Sequence, residues 1–261
     1  MKPGLRPCLI VLAPLALAAC HKPPTAKPVP SVRVETLRAD GPSASQRRAE
    51  EARWLQAFPD AATRDGATLI VRHNGAEIAR YVDDPKGCNP YSISKVIRLY
   101  DDASHSLQPV TEVTCHFGAL DNRYLVLPTS TKYTVRDDVD ASPDGKRLAM
   151  ADNALGPTDG NFTLIDWPSM TRIAGFKVGC RHVAWIDADH LKALCWHNAG
   201  SSPQDADDSR TVFFDADIDR NGQSWTMTAT DFVDGATGRP VPAAGRALPH
   251  FIAEVPAPDR P

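Results

Sequence analysis

The chain has 261 residues, of which 42% are hydrophobic and 23% are charged, and its formal net charge is -3. These values are typical of a folded globular protein and exclude a disordered, collagen-like or multi-span membrane chain. Because neither sign of charge is in large excess, no basic surface points to nucleic acid as a partner. The six cysteines and the 23 prolines, many of them near the two ends, are the features that need an explanation.

Residues 1–19 combine two basic residues with a short apolar run and small residues after it. The run is too short to span a bilayer as a helix, so the pattern predicts a signal peptide. The sequence LAAC at 17–20 resembles the lipobox of bacterial lipoproteins. This resemblance implies cleavage before Cys20, a lipid attached to Cys20 and, because His21 rather than Asp follows, a periplasm-facing position on the outer membrane.

The next two segments predict a tether and a helix. Residues 20–42, with the lipid anchor at their start, are proline-rich and predict an extended tether. Residues 43–60 predict one short helix, because Ser43 and Gln46 have the spacing of a capping box and Pro59 marks the end. Without the basic residues of the signal, 27 basic and 32 acidic side chains remain, so the formal charge becomes -5.

Residues 61–240 predict an all-β domain, because short strand-like runs are separated by turn signals at even intervals and helical periodicity is absent. Many short strands with regular turns favour a sandwich, a barrel or a propeller. The Pro- and Ala-rich residues 241–261 predict a C-terminal tail. The predicted strands cover 68–71, 77–82, 91–100, 109–117, 124–127, 132–135, 147–151, 161–165, 173–178, 182–186, 191–196, 211–214 and 223–228.

One segment of this domain narrows the choice of architecture. The sequence SPDG at 142–145 precedes the strand-like run beginning at Arg147. It resembles the turn-and-strand signature of WD40-like propeller blades of the TolB kind, and a weaker copy begins at His182, about one repeat later. The resemblance implies a propeller-like arrangement of several sheets. It implies no function, because propellers serve many functions.

The four cysteines of the β domain predict two disulfides, because the periplasm is oxidising. Cys180 and Cys195 each begin a Cys-x-His pattern. In paired strands these patterns would bring together either a disulfide between the two cysteines or four zinc ligands. The compartment favours the disulfide, and Cys88 and Cys115 then form the second bridge by elimination.

A run of acidic residues predicts an incomplete calcium site. Counted from Asp217, the chain places Asp219, Asn221 and Gly222 at the third, fifth and sixth positions, as an EF-hand loop does. The twelfth position is Thr228 instead of the bidentate glutamate. The alternative is a charged β-turn, and no other cofactor is predicted.

No motif in the sequence indicates catalysis. Ser92 and Lys95 match the Ser-x-x-Lys spacing of penicillin-binding enzymes, but they lie in strand-like alternation and the companion motifs are absent. The histidines, including His116, are scattered, and sequence alone pairs none of them with a serine.

The sequence therefore predicts a non-catalytic, lipid-anchored protein that binds another protein. The layout, together with residues 217–222, resembles immunity lipoproteins of antibacterial secretion systems, some of which resemble lysozyme inhibitors. This resemblance implies a protein that neutralises a toxin, either a cell-wall hydrolase or a lipase, and a charge of -5 suits a basic partner. Two alternatives stay open: a scaffold or accessory lipoprotein of outer-membrane assembly, and a metal-dependent enzyme that uses the Cys/His cluster.

Overall fold

Short β-strands make up most of the part of the chain that the structure describes. The computed structural model describes residues 43–117, 120–136, 138–152, 161–198, 211–243 and 245–254. These ranges contain one helix and sixteen strands and belong to one compact unit, Pro42–Pro261. The predicted fold class, an all-β domain of several sheets with one short N-terminal helix, is confirmed.

Helix α1 (Ala44–Ala57) lies within residues 43–60, where the sequence predicts a short helix, and its N-terminal capping box is formed as predicted. The Ser43 N–H donates to Gln46 Oε1 at 2.7 Å, and the Gln46 N–H donates to Ser43 Oγ at 3.3 Å. This reciprocal capping box satisfies two backbone donors at the helix start. Three partly buried side chains of the helix and its C-cap pack against the apolar core between the first two sheets: Trp54, Leu55 and Phe58.

The strands form four antiparallel sheets, each built from strands that are consecutive in the chain. Sheet A contains β1 (Ala62–Asp65), β2 (Thr68–His73) and β3 (Ala76–Val82). Sheet B contains β4 (Tyr91–Asp101), β5 (Ser106–Phe117), β6 (Leu120–Val126) and β7 (Lys132–Val135). Sheet C contains β8 (Asp138–Ala141), β9 (Arg147–Asp152), β10 (Asn161–Asp166) and β11 (Thr171–Phe176). Sheet D contains β12 (Gly179–Trp185), β13 (His190–Asn198), β14 (Thr211–Asn221), β15 (Ser224–Phe232) and β16 (His250–Ile252).

The sheets contact one another in the order of the chain. Strand β2 contacts β5, β4 contacts β8, and β12 contacts both β8 and β9. Apolar side chains fill the spaces between the sheets, with Val113 in the first core cluster, Leu148 in the second and Trp225 in the third. Successive packed meanders are compatible with a propeller, and the propeller interpretation stays a prediction.

The SPDG turn joins β8 to β9. Ser142 Oγ donates to Asp144 Oδ1 at 2.6 Å, and Gly145 adopts a φ of +68°. A Cβ at this glycine would lie 2.6 Å from the backbone nitrogen of Tyr100. Both the left-handed backbone and the close approach of sheet B therefore require glycine here.

Three strands were not predicted, and several are longer than predicted. Strands β1, β8 and β16 have three or four residues each, which is too short for a clear alternating pattern. Strand β16 lies inside the region predicted as a tail, where it pairs with β15. Strand β14 continues to Asn221, through the residues that were predicted to form a calcium loop.

Candidate functional site

A serine, a histidine and an aspartate form a continuous hydrogen-bonded chain on sheet B. Ser92 Oγ lies 2.7 Å from His116 Nε2, and His116 Nδ1 lies 2.7 Å from Asp121 Oδ1. One imidazole ring therefore joins a hydroxyl to a carboxylate. This is the order of groups in the Ser-His-Asp triads of acyl-transfer enzymes.

The chemistry of the three groups fixes the direction of these bonds for a neutral imidazole. An ionised carboxylate only accepts hydrogen bonds, so His116 Nδ1 carries the proton and donates it to Asp121. Nε2 is then the acceptor, and the Ser92 hydroxyl donates to it. The arrangement is that of a serine whose proton faces a base held in the correct tautomer.

Strand pairing brings the three side chains together. Ser92 on β4 is paired with Thr114 on β5, and His116, two residues further along β5, is paired with Asp121 on β6. Residues two apart on a strand share a face, and diagonal cross-strand neighbours lie within reach of long side chains. The register of sheet B is therefore sufficient to build the chain of hydrogen bonds.

The serine end of this chain opens into a cavity of about 240 Å³ between α1 and sheet B. Strand residues Ser92, Thr114 and His116 line one side, and Arg47 and Glu50 of α1 line another. A neighbouring cavity of about 420 Å³ also reaches Ser92 and runs along α1. A small molecule could thus approach the serine although Ser92 is largely buried.

Thr114 supplies a second polar group to the same cavity. Its side chain is 3% exposed, and its Oγ1 has no hydrogen-bond partner among the described residues. A buried hydroxyl without a partner carries a desolvation cost that a ligand oxygen or a water molecule would relieve. Since Thr114 and Ser92 are directly paired, both hydroxyls project from the same face of the sheet.

A buried carboxylate lies deeper on this face. Glu112 is fully buried, and its Oε1 accepts from Ser94 Oγ at 2.6 Å and pairs with Arg123 Nε at 2.9 Å. Glu112 Oε2 has no hydrogen-bond partner in the part of the chain that the structure describes. Ser94 and Arg123, the two partners of this carboxylate, both line the 240 Å³ cavity.

Helix α1 is held at the free edge of β4 by a charged network. Arg64 contacts Glu51 of α1 at 2.8 Å and Asp83 at 3.2 Å. The same carboxylates accept backbone donors of β4, Asp83 from the Tyr91 N–H at 2.8 Å and Glu51 from the Ile93 N–H at 3.3 Å. An edge strand that is saturated in this way is protected from pairing with another chain, and the helix is positioned above the cavity.

Lys95 of β4 connects the polar side chains of sheet B to strand β8 of sheet C. Its Nζ lies 3.3 Å from Asp138 and 3.7 Å from Asp140, and it donates to the carbonyl of Val139. Burial raises the pKa of Asp140, and the nearby Lys95 ammonium opposes that shift. The lysine therefore compensates two acidic side chains of β8.

Both predicted disulfides are present. Cys180 and Cys195 are directly paired on β12 and β13, and Cys88 is bonded to Cys115 of β5. The sulfur atoms of Cys180 and Cys195 are bonded to each other, so neither is a thiolate that could bind zinc.

The residues predicted to bind calcium lie on β14 and at its end. Asp217 and Asp219 alternate with buried residues and face outward together with Asp215, and the hairpin turn follows Asn221. Their neighbours across the sheet include Lys192, 3.4 Å from Asp217. We call the exposed side of β14 and β15 with these aspartates and Asp231 the acidic face. Calcium binding stays a prediction, and the extended backbone differs from that of a calcium-binding loop.

The acidic face contains one pair of like charges. Asp215 and Asp231 are directly opposite each other on β14 and β15. Burial, followed by the charges of Asp231 and Asp217, raises the pKa of Asp215. Among the described residues, no group of three or more His, Cys, Asp or Glu side chains is arranged to hold a metal ion.

Sequence reasoning missed the Ser92, His116 and Asp121 arrangement because it depends on the pairing of three strands. A local signal exists for half of it, since His116 and Asp121 lie near facing ends of two adjacent strands, β5 and β6. Nothing in the local sequence connects Ser92 to that pair, because its separation from His116 is 24 residues.

Cys20 and the predicted signal and tether lie outside the described residues. Within the described ranges, no helix is long and apolar enough to cross a membrane. No family model matches the sequence, and neither a curated protein nor a solved structure gives a significant match.

Proposed function

We propose that this protein is an outer-membrane lipoprotein, anchored through Cys20 and facing the periplasm, that binds another protein. The acidic face of sheet D carries this proposal. Asp215 and Asp219 are exposed on it, and Asp217 is half-buried between them. A rigid, charged surface steers an oppositely charged partner and fixes its orientation.

The structural setting of the acidic face supports a binding role. Strand β14 is the central strand of the five-stranded sheet D, and the Cys180–Cys195 disulfide joins two other strands of that sheet. The nearest basic side chains, Lys192 and His190, lie 3.4 Å or more from the carboxylates, so the negative charges are only partly compensated. A preorganised surface loses little conformational entropy on binding.

Within this role, the most specific version is an immunity or inhibitor protein that neutralises an antibacterial toxin with a basic surface, either a cell-wall hydrolase or a lipase. The lipoprotein layout and the acidic face support it. The scaffold role in outer-membrane assembly remains the competing proposal and predicts a different phenotype. A scaffold is needed at all times, whereas an immunity protein is needed only under attack.

The test combines genetics with charge reversal. We expect the protein to bind the purified product of a neighbouring toxin gene and to protect cells that export this toxin to the periplasm. The triple variant Asp215→Lys, Asp217→Lys, Asp219→Lys should bind at least about tenfold more weakly, mainly through a slower association rate. Normal binding by this variant would exclude the acidic face as the contact surface.

A matched control changes the same charge elsewhere. Asp60, Asp65 and Asp102 are exposed, and their joint replacement by lysine alters the net charge equally. This control should keep the affinity within about threefold if local rather than overall charge matters. Envelope defects in a deletion strain without any toxin, together with no toxin binding, would favour the scaffold role.

A further inference from the structure

The cavity beside Ser92 has features that a protein-binding role does not use. A serine hydroxyl, an imidazole and a carboxylate are joined in series by two contacts of 2.7 Å each. The serine end faces the cavity, while Asp121 at the other end is 46% exposed. This arrangement lies on sheet B, apart from the acidic face on sheet D.

We propose that Ser92 is an activated nucleophile and that the cavity is an acyl-transfer site for small, polar esters. His116 is the general base, and Asp121 is the positioning residue that orients the imidazole. This inference goes beyond the proposed binding function and departs from the sequence-based expectation of a non-catalytic protein. Its evidence is independent of the acidic face.

The reaction follows from the direction of the hydrogen bonds. Ser92 Oγ attacks the ester carbonyl carbon while its proton moves to His116 Nε2. The tetrahedral intermediate expels the alcohol, which takes the proton from Nε2 and leaves an acyl group on Ser92. Water then attacks the acyl-serine, giving its proton to Nε2, and Ser92 recovers this proton as the carboxylic acid leaves.

Thr114 is placed to stabilise the charge that develops in this reaction. The carbonyl oxygen becomes an oxyanion next to Ser92 Oγ, and such charge is stabilised by preoriented donors. The Thr114 hydroxyl lies on the paired residue of β5 and has no partner among the described residues. An oxyanion would give this buried hydroxyl the acceptor that it lacks.

The cavity determines the class of substrate. A volume of about 240 Å³ is at or below the lower end of the range for sites that hold drug-sized ligands, so a short acyl group fits better than a fatty chain. Charged and hydroxyl-bearing side chains line most of it, including Arg47, Glu50 and Arg123. These groups favour a polar acyl ester over an aliphatic one.

The experiment is covalent labelling with a fluorophosphonate, which phosphonylates an activated serine and releases fluoride. The disulfide-bonded protein is treated with the reagent, and the product is followed by intact mass and peptide mapping. We expect one adduct on Ser92 and none in Ser92→Ala. A burst of p-nitrophenol from p-nitrophenyl acetate should accompany the labelling in the parent protein.

Two further variants separate catalysis from a structural hydrogen bond. Asp121→Asn keeps the shape of a half-exposed side chain but lets its amide donate to Nδ1, so the imidazole takes the wrong tautomer. Labelling of Ser92 should then slow by roughly 10²- to 10⁴-fold. Ser169→Ala removes an exposed serine in the turn between β10 and β11, which does not line the cavity, and should label within about twofold of the parent rate.

The proposal fails if the folded parent protein gains no adduct, if the adduct lies on another residue, or if Asp121→Asn labels at the parent rate. Circular dichroism and a thermal melt confirm that each variant is folded before labelling. Binding of a protein partner to sheet D should be unchanged by Ser92→Ala, so a failure here and a failure of the binding role are distinguished.

Discussion

The polar faces of sheets B and D are built from the same kind of sequence pattern but differ in what covers them. On sheet B, Ser92, Glu112 and His116 are buried, and their polar contacts span 2.6–2.9 Å. On sheet D, the aspartates of the acidic face are exposed or half-buried, and the nearest basic side chains lie at 3.4–3.9 Å. One face is a largely buried hydrogen-bonded network beside a cavity, and the other is an open charged surface.

The difference shows that the alternation of polar and apolar residues along a strand determines the face of each side chain. Packing against other elements then determines whether that face is buried or open to solvent. Helix α1, which is ion-paired to Arg64 through Glu51, covers the edge of sheet B, so water is partly excluded from the polar groups there. Pairing in such surroundings is energetically strong, and a missing partner is costly. The open face of sheet D is screened by water and salt, so its charges act mainly on approaching molecules.

The largest effect that we expect concerns the two disulfides, one between a loop and sheet B and one within sheet D. Cys88 and Cys115 are separated by 27 residues and Cys180 and Cys195 by 15. By loop-closure entropy, replacing each pair by alanine should lower the free energy of unfolding by about 3.5 and about 3 kcal/mol respectively. Urea denaturation of both double variants measures these losses.

Hydrogen exchange of the same variants sharpens the comparison between the sheets. Removal of Cys88–Cys115 should reduce amide protection in β4 and β5, and removal of Cys180–Cys195 should do so in β12 and β13. A uniform loss of protection across both sheets in either variant would show that the two regions unfold as one unit. In that case the two disulfides would stabilise the whole domain and not the sheet to which each is attached.

The second effect compares one cation from each face. Arg123→Met removes the cation of the fully buried Glu112 carboxylate, and we expect a loss of about 2–3 kcal/mol, since the arginine itself is 29% exposed. Lys192→Met removes the 57% exposed partner of Asp217 and should cost less than about 0.5 kcal/mol. Urea titrations at equal ionic strength measure both values.

High salt provides the control for this pair. In 1 M sodium chloride the Arg123→Met loss should persist, because the buried pair is poorly screened, whereas any Lys192→Met effect should vanish. Equal losses for the two variants would contradict the distinction between a largely buried and an open polar face.

Local chemistry in the sequence was sufficient for most of the fold. The capping box of Ser43 and Gln46, the SPDG turn and the alternating runs predicted α1 and most strands, because each is decided by neighbouring residues. The two disulfides were predicted from the even number of cysteines in the β domain and from the compartment that the lipobox-like sequence indicates. Strand β16 was missed because it is three residues long and because its pairing with β15 is a tertiary contact that the local sequence does not encode.

The candidate site could not be predicted in the same way. A register shift between Ile93 and Lys95 changes which β4 residues face which β5 residues, and the sequence gives no sign of this bulge. Ser92 contacts His116 because of the register between β4 and β5. His116 contacts Asp121 because of the register between β5 and β6. Conversely, residues 217–222 fit a loop pattern, yet the pairing of β14 with two neighbours extends most of them into a strand.

The smallest effect that we expect tests whether repulsion between Asp215 and Asp231 lowers the stability of the folded protein. Asp215 has a raised pKa, caused first by burial and then by Asp231, so ionisation disfavours the folded state. The free energy of unfolding therefore decreases as the pH rises from 3.8, the ordinary pKa of an aspartate, through the higher pKa of Asp215 in the folded protein. Asp215→Asn should therefore gain up to about 0.5 kcal/mol at pH 7, as expected for removing opposed like charges in a cross-strand pair, and gain nothing near pH 3.

Asp219→Asn is the matched control for this variant. Asp219 lies on the same face of β14, but Thr226 rather than an acid is opposite to it on β15, so its replacement should bring no comparable gain. Thermal melts of both variants at pH 3 and pH 7 measure the difference. A gain in Asp215→Asn that is equal at both pH values would mean that shape or hydrogen bonding, and not charge repulsion, limits the stability of this face. Conversely, a gain confined to pH 7 would show that the face keeps its carboxylates close together at a cost in stability, as expected of a surface that attracts a partner.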